Sequence, residues 1–101
     1  MKIVVNKCFG GFRLSEAIFV ELGMVWDGYG YVNNTDFGIE SDNYLEYRSH
    51  PTLIAAIEKV GENDASGPLS EVLIVDVPDD IKWEIDEYDG IETVHEKHRS
   101  W

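Results

Sequence analysis

The stretch KIVVNKCFGGFRLS, residues 2–15, predicts a strand, a tight turn and the start of a helix. Its β-branched opening, residues 2–5, is typical of a buried strand, and Asn6 ends that strand. The pair Gly10-Gly11 indicates a tight turn, because glycine adopts backbone angles that other residues avoid. We therefore expect a strand and a helix to be joined here by a short connection.

Capping residues bound the first helix. Ser15 is a suitable N-cap, because its hydroxyl can accept a hydrogen bond from a backbone amide of the first turn. Leu14, Ile18 and Leu22 recur at helical spacing and predict one buried face. Gly23 suits the left-handed end of a helix. These signals predict a helix that runs to about Leu22.

The second helix is predicted to open at Ser49-His50-Pro51, since proline suits the first helical position, where no amide donor is needed. Gly61 supplies the C-terminal stop, and the polar residues 62–68 are expected to form a loop. The apolar face of this helix would consist of Leu53, Ile54, Ile57 and Val60.

The second half of the chain is expected to be rich in β-structure. Residues 72–77 read as a central strand, and residues 81–86 alternate between apolar and polar as in a half-buried strand. Asp89-Gly90 is a strong hairpin-turn signal, so residues 91–95 are expected to return as the paired strand. A short helix that begins at Asp89 is the competing interpretation.

The fold class expected from these elements is α+β. In residues 24–48, glycine, asparagine and aspartate alternate with aromatic residues, which suggests one or two small strands. Together the elements predict one domain over residues 1–101, with a mostly antiparallel sheet of about four or more strands and two helices on one face.

The chain is strongly acidic, with 20 Asp and Glu against 8 Lys and Arg and a formal net charge of −12. This balance disfavours binding to nucleic acid or anionic membranes, and no apolar run is long enough to span a bilayer. It leaves two readings, a surface that imitates nucleic acid or one that only confers solubility. A lone cysteine, Cys8, fits the reducing cytoplasm, and a chain this short makes a homo-oligomer a reasonable expectation.

The Gly10-Gly11 turn is a candidate anion site. Backbone amides in such a turn, together with the helix start at Ser15, can form a nest for a phosphate. Lys7 and Arg13 flank the turn and would neutralise the bound charge. The sequence is not a phosphate-loop motif, and an ordinary strand-to-helix turn that needs glycine is the alternative.

Two other candidates for chemistry are weaker. Cys8 would be a nucleophile only if His95 or His98 activated it, and no protease signature surrounds it. The two histidines are three residues apart and lack the further ligands of a metal site. We therefore predict no catalytic residues, no metal and no cofactor.

The basic residues are scarce but grouped. Five of the eight Lys and Arg fall in three places, which are Lys7 with Arg13, Arg48 beside His50, and Lys97 with Arg99. If the N-terminal strand and the tail meet, within one chain or between protomers, a small cationic pocket forms inside an acidic protein. Such a pocket would select a compact phosphorylated ligand.

Three stretches resemble a known family: KIVVNKCFGGFRLS at the start, RSHPTLIAAIEKVGE in the middle and YDGIETVHEKHRSW at the end. The family's pattern is roughly K/R-C-[FY]-G-G-F-G-L-S at the start and E-K-H-R-x-W at the finish, and the match covers about half the chain. This pattern is similar to the phage-encoded Thoeris anti-defence sponge proteins, which bind cyclic nucleotide-type immune signals, including cyclic ADP-ribose isomers, without degrading them.

The resemblance implies that Lys7 and Arg99 contact phosphates near the backbone of residues 8–11, and that ligands lie between protomers of a homo-oligomer. Arg13 stands where the family pattern has glycine, and Lys7 stands where arginine is also common. These two departures bear on which ligand the protein binds. Tyr44, Tyr47 and Phe37 are candidates for an aromatic wall. The predicted ligand-binding residues are Lys7, Cys8, Phe9, Gly10, Gly11, Arg13, His98, Arg99 and Trp101.

Together with the predicted cationic pocket, the resemblance implies a non-enzymatic phage protein of the host cytoplasm that captures a small phosphorylated signalling nucleotide. The alternative is an acidic inhibitor that imitates nucleic acid and binds a host defence nuclease, of the anti-CRISPR or anti-restriction type. Its contact surface would be the predicted hairpin, because residues 79–96 hold eight acids and one lysine. A phosphodiesterase comes third, since no metal set or acid–base pair is apparent.

Overall fold

The computed structural model describes residues 1–96, which form an α+β fold with three α-helices and two small antiparallel sheets. Two 3₁₀ helices, Asn34–Phe37 and Glu46–Ser49, lie between the first and second α-helices. The remaining elements, in chain order, are β1 (Lys2–Asn6), α1 (Glu16–Leu22), α2 (Pro51–Val60), α3 (Glu62–Ala65), β2 (Val72–Asp76), β3 (Trp83–Tyr88) and β4 (Ile91–Glu96).

The first two α-helices begin and end at the capping residues that the sequence predicts. The Ser15 hydroxyl accepts a hydrogen bond from the Ile18 amide at the start of α1, and Gly23 ends it with φ of 70°. Pro51 occupies the first turn of α2, and Nδ1 of His50 accepts a hydrogen bond from the Thr52 amide. Within residues 1–96, no helix has the length and apolar character needed to cross a membrane.

The prediction of one sheet of about four strands is wrong. β1 pairs antiparallel with β2, and β3 pairs antiparallel with β4, as two separate two-stranded sheets. β1 and β4 do approach each other, but side chains of Asn6, Lys7 and Glu92 join them instead of a backbone ladder. The hairpin predicted at Asp89-Gly90 is confirmed, and the alternative of a helix there is wrong.

The prediction of strands in residues 24–48 is also wrong. Asparagine and aspartate side chains bond local backbone amides here, and such bonds compete with pairing into a sheet. The Asp27 carboxylate accepts from the amides of Tyr29 and Gly30, and Asn33 with Asp36 forms a capping box. A second correction concerns residues 62–68, where the expected loop contains the short helix α3.

One hydrophobic core joins the helices, β1 and β2. Helix α1 contributes Ile18 and Phe19. Three of the four residues of the predicted α2 face are buried, whereas Val60 is only partly buried and Ala56 is buried in addition. Three aromatic residues of 24–48, Trp26, Phe37 and Tyr47, belong to this core or pack against it, and Trp26 packs edge-on against Phe19. The fully buried apolar side chains are Ile3, Val4, Val5, Leu14, Ile18, Leu53, Ile57, Ala65 and Val72.

Candidate functional site

The candidate site is built on a buried ion pair between Arg48 and Glu92. The Nη1 and Nη2 atoms of Arg48 donate to Oε1 and Oε2 of Glu92 at 2.6 and 2.9 Å. The two side chains are only 4% and 8% exposed. Arg48 therefore does not supply a cation to the predicted pocket, because its charge is matched by a carboxylate. His50, the other member of that predicted group, caps α2.

Backbone groups and an aromatic ring hold this ion pair in place. The Asn6 amide donates to Oε1 of Glu92 at 2.8 Å, and Nη1 of Arg48 also reaches the Val4 carbonyl at 3.3 Å. The guanidinium carbon lies 3.6 Å from the centre of the Phe12 ring, which is a cation–π distance. Such additional contacts offset part of the cost of removing a charged pair from water.

The charges near Arg48 keep it ionised. Burial lowers the pKa of Arg48, but the hydrogen bonds and charges of Glu92 and Tyr47 outweigh burial and raise that pKa above its ordinary value. Burial also raises the pKa of the Tyr47 phenol. Within residues 1–96, the buried Nε of Arg48 has no hydrogen-bond partner. The guanidinium therefore retains one unused donor next to the cleft that it lines.

An aromatic cleft of about 350 Å³ lies above the ion pair, and two parts of the chain form it. Residues 11–48 supply the aromatic side chains, and the β3–β4 hairpin supplies Ile85, Glu87, Gly90 and Glu92. Two of the tyrosines, Tyr31 and Tyr44, are 58% and 76% exposed, so much of each side chain is open to solvent. The aromatic residues that line the cleft are Phe12, Tyr31, Tyr44 and Tyr47.

The tip of the hairpin packs tightly against the Gly10-Gly11 turn. A Cβ atom on Gly90 would lie 2.6 Å from the Gly11 amide nitrogen and from the Phe9 carbonyl oxygen, and Gly90 has φ of 92°. A Cβ on Gly10 would collide with the backbone of Leu69. This packing explains why glycine occupies these positions, and it agrees with the reading of an ordinary turn.

Asn6 links the two sheets to the glycine turn. It is fully buried, and its Nδ2 donates to the carbonyls of Cys8 and Gly90, each at 2.6 Å. Its Oδ1 accepts from the Glu71 amide at 2.9 Å and from the Ser70 hydroxyl at 3.1 Å. One amide side chain thus fixes the hairpin tip, the turn and the approach to β2.

The two predicted phosphate-binding cations of the N-terminal stretch lie near the cleft. The Lys7 ammonium donates to the carbonyl of Glu92 at 2.6 Å. The Arg13 guanidinium lies over the Tyr31 ring at 4.9 Å, and its Nη1 reaches the Pro68 carbonyl at 3.4 Å. Neither cation forms an ion pair with a carboxylate of residues 1–96. Their charges are therefore not matched directly within that range.

The other predicted site residues divide into two groups. Gly11 lines the aromatic cleft, whereas Phe9 and Gly10 line a separate open depression with the hairpin tip, and Cys8 is half-buried. His98, Arg99 and Trp101 lie outside the described residues, as does Lys97. β1 contacts β4 through Asn6 and Lys7, but the hypothesis that the N-terminal strand meets the tail stays a prediction, because the tail lies outside the described residues.

Sequence reasoning missed Asn6, Glu92, Phe12 and Tyr31. A signal for Glu92 was available, because the Asp89-Gly90 turn sets the register of the hairpin. In that register Glu92 lies opposite Glu87 and shares a face with Ile85 and Val94, which is the face that an apolar side chain would be expected to occupy. For Phe12 and Tyr31, no comparable local pattern exists.

The chain matches no protein-family model, no curated protein and no solved structure.

The candidate site offers aromatic side chains in the cleft, the guanidinium of Arg13 at Tyr31 and the ammonium of Lys7 at Glu92. Glu87 adds a negative charge to the same cleft. These groups suit a ligand with a planar ring and a compact anionic part, because rings stack on tyrosine and anions bind cations.

Proposed function

We propose that the protein is a non-enzymatic phage anti-defence protein that sequesters a small phosphorylated immune signal in the host cytoplasm. The signal would be a cyclic nucleotide or a cyclic ADP-ribose-type molecule. The observation that carries the proposal is the aromatic cleft, which has Arg13 stacked on one of its tyrosines. The resemblance of the two chain ends to the sponge family supports the class of ligand.

The cleft supports the binding of a nucleobase. Its volume of about 350 Å³ lies in the range of small-molecule pockets, and its tyrosines present faces on which a base can stack. The Arg48–Glu92 pair fixes the floor, so little conformational freedom is lost when a ligand binds. A preorganised floor favours tight capture.

The phosphates of the ligand would be bound by Arg13 and Lys7, with Arg99 as the residue that the resemblance adds. Arg13 suits bidentate binding of phosphate, and its stacking on Tyr31 orients the guanidinium. To deprive a host effector of its signal, the dissociation constant would need to be nanomolar or so, about −12 kcal/mol. Several charge-assisted hydrogen bonds and stacked rings together supply free energies of that order.

Calorimetric titration of the full chain with cyclic nucleotides and cyclic ADP-ribose isomers tests the proposal. We expect tight binding to at least one ligand and recovery of that ligand with unchanged mass after heat denaturation. Absence of binding across the panel would refute the proposal that the ligand is a cyclic nucleotide or a cyclic ADP-ribose isomer. Recovery of a cleaved product would refute sequestration without degradation. Light scattering of the same sample tests the expected homo-oligomer.

Matched variants separate the cleft from the rest of the surface. Tyr31→Ala and Arg13→Ala should each weaken binding at least about tenfold, since each removes a stacking face or a charge-assisted bond. Tyr88→Ala and Lys82→Ala are the controls, because both residues are exposed and neither lines the cleft. Arg99→Ala should weaken the binding free energy by about 2–4 kcal/mol, because a phosphate of the ligand would be left unpaired. Equal losses in cleft and control variants would contradict the site.

A second candidate function is imitation of nucleic acid, and the exposed carboxylates of the hairpin favour it. Asp86, Glu87 and Asp89 are all exposed near its tip. A partner nuclease would bind them in its basic groove, and the complex would weaken steeply with salt. Charge reversal at these three positions should abolish the complex, whereas nucleotide binding in the cleft should survive reversal at Asp86.

A further inference from the structure

The outer face of the β3–β4 hairpin brings together three side chains that can bind a metal ion. The register places Glu84 directly opposite His95, and Asp86 follows Glu84 by two residues. Because side chains of a strand alternate between faces, these three residues share one face. The aromatic cleft lies on the other face, with Ile85, Glu87 and Glu92.

The three side chains are already in mutual contact. One ligand atom from each lies within 4.8 Å of the other two. Nε2 of His95 is 2.6 Å from Oδ2 of Asp86, and Nδ1 of His95 is 3.6 Å from Oε1 of Glu84. The side chains remain partly exposed, so they can adjust and water can complete a coordination shell.

A backbone carbonyl orients the imidazole as it is oriented in metal sites. Nδ1 of His95 lies 3.3 Å from the carbonyl oxygen of Glu96 and can donate to it. Metal-binding histidines nearly always donate their second ring N–H to a carbonyl or carboxylate, which leaves the other nitrogen as the ligand. Here that arrangement directs Nε2 toward Asp86.

We propose that Glu84, Asp86 and His95 form a binding site for a divalent transition-metal ion of the Zn²⁺ class. Nε2 of His95 supplies the nitrogen ligand, and the two carboxylates supply oxygen ligands. One imidazole with two carboxylates suits Zn²⁺, whereas Mg²⁺ and Ca²⁺ favour oxygen ligands alone.

The Nε2–Asp86 pair requires only a small movement, whereas Glu84, whose Oε1 lies nearest Nδ1, must rotate its partly exposed side chain toward Nε2. Two ligands of a tetrahedral zinc ion are about 3.3 Å apart, given metal–ligand distances near 2.0–2.1 Å. The Nε2–Oδ2 separation of 2.6 Å must widen by less than an ångström, and rotation of the exposed Asp86 side chain accomplishes this. Water molecules fill the remaining positions. This site does not depend on the proposed nucleotide function, since it occupies the opposite face of the hairpin.

The test is calorimetric titration of the full chain with zinc chloride, together with NMR of the histidine ring protons. We expect one equivalent of Zn²⁺ to bind and to shift the His95 resonances, with no displacement by excess Mg²⁺. His95→Gln and Asp86→Asn should each weaken binding at least about tenfold. Asp80→Asn is the matched control, because it removes one exposed carboxylate outside the hairpin.

His98→Gln distinguishes the hairpin from the tail, whose histidine lies close in sequence. Zinc binding that persists in His98→Gln and is lost in His95→Gln supports the site. Binding that is lost in His98→Gln, or equal in Asp86→Asn and Asp80→Asn, would overturn it. A full chain that binds no Zn²⁺ would overturn it as well.

Discussion

Both faces of the β3–β4 hairpin carry a carboxylate paired with a basic side chain, but one carboxylate is buried and the other is exposed. On the inner face, the Glu92 side chain is 8% exposed and receives two bonds from Arg48 and one from the Asn6 amide. On the outer face, the Asp86 side chain is 73% exposed and contacts His95. A buried carboxylate with fixed partners is part of the fold, whereas an exposed one stays available to ions and partners, because water screens it.

The largest expected effect is that of Glu92→Ala. This change leaves the Arg48 guanidinium buried without its carboxylate, so we expect a loss of about 3–5 kcal/mol in the free energy of unfolding. Urea denaturation followed by circular dichroism measures it. A loss below about 1 kcal/mol would show that the inner face does not differ from the outer one.

Gly90→Ala tests whether docking of the hairpin tip depends on close backbone packing. The new Cβ would meet the Gly11 amide and the Phe9 carbonyl at 2.6 Å, and Gly90 has a positive φ. We expect a loss of about 2–4 kcal/mol, since backbone strain and overpacking each cost about 1–3 kcal/mol. The same unfolding assay measures it, and Gly28→Ala is the control, with a similar φ but no neighbour within 4 Å of the new Cβ.

Replacing both members of the ion pair sharpens the comparison. The double variant Arg48→Met with Glu92→Leu removes both charges together, so no ion is left buried alone. We expect the free energy of unfolding to fall by about 1–2 kcal/mol, mostly because the backbone N–H of Asn6 loses its acceptor. This loss is smaller than the one expected for Glu92→Ala. An equal or larger loss in the double variant would mean that packing, not charge, dominates this position.

The smallest effect is expected on the outer face. Asp86→Ala removes an exposed partner of His95, and exposed pairs contribute about 0–1 kcal/mol. We expect the free energy of unfolding to change by no more than about 0.5 kcal/mol in metal-free buffer. A change comparable to that of Glu92→Ala would refute the contrast between the faces.

The candidate site was only partly predictable from the sequence. Lys7, Gly11 and Arg13 were predicted, and the structure places them at or beside the cleft. Arg48 was predicted as one of the grouped cations, but it is buried against Glu92. Tyr44 and Tyr47, suggested as an aromatic wall, line the cleft, and their role in stacking on a base stays a prediction, whereas Phe37 stacks on Tyr47 and does not line the cleft.

The sequence by itself determined the local elements of this protein: both main helices with their caps, the first residues of β1 and β2, and the hairpin at Asp89-Gly90. These follow from backbone angles and hydrogen bonds between residues a few positions apart, which residue type controls directly. Only the tertiary structure decided that the strands form two sheets and that Arg48 forms its ion pair with Glu92. That choice depends on burial and on contacts between residues 44 positions apart, which no local pattern encodes.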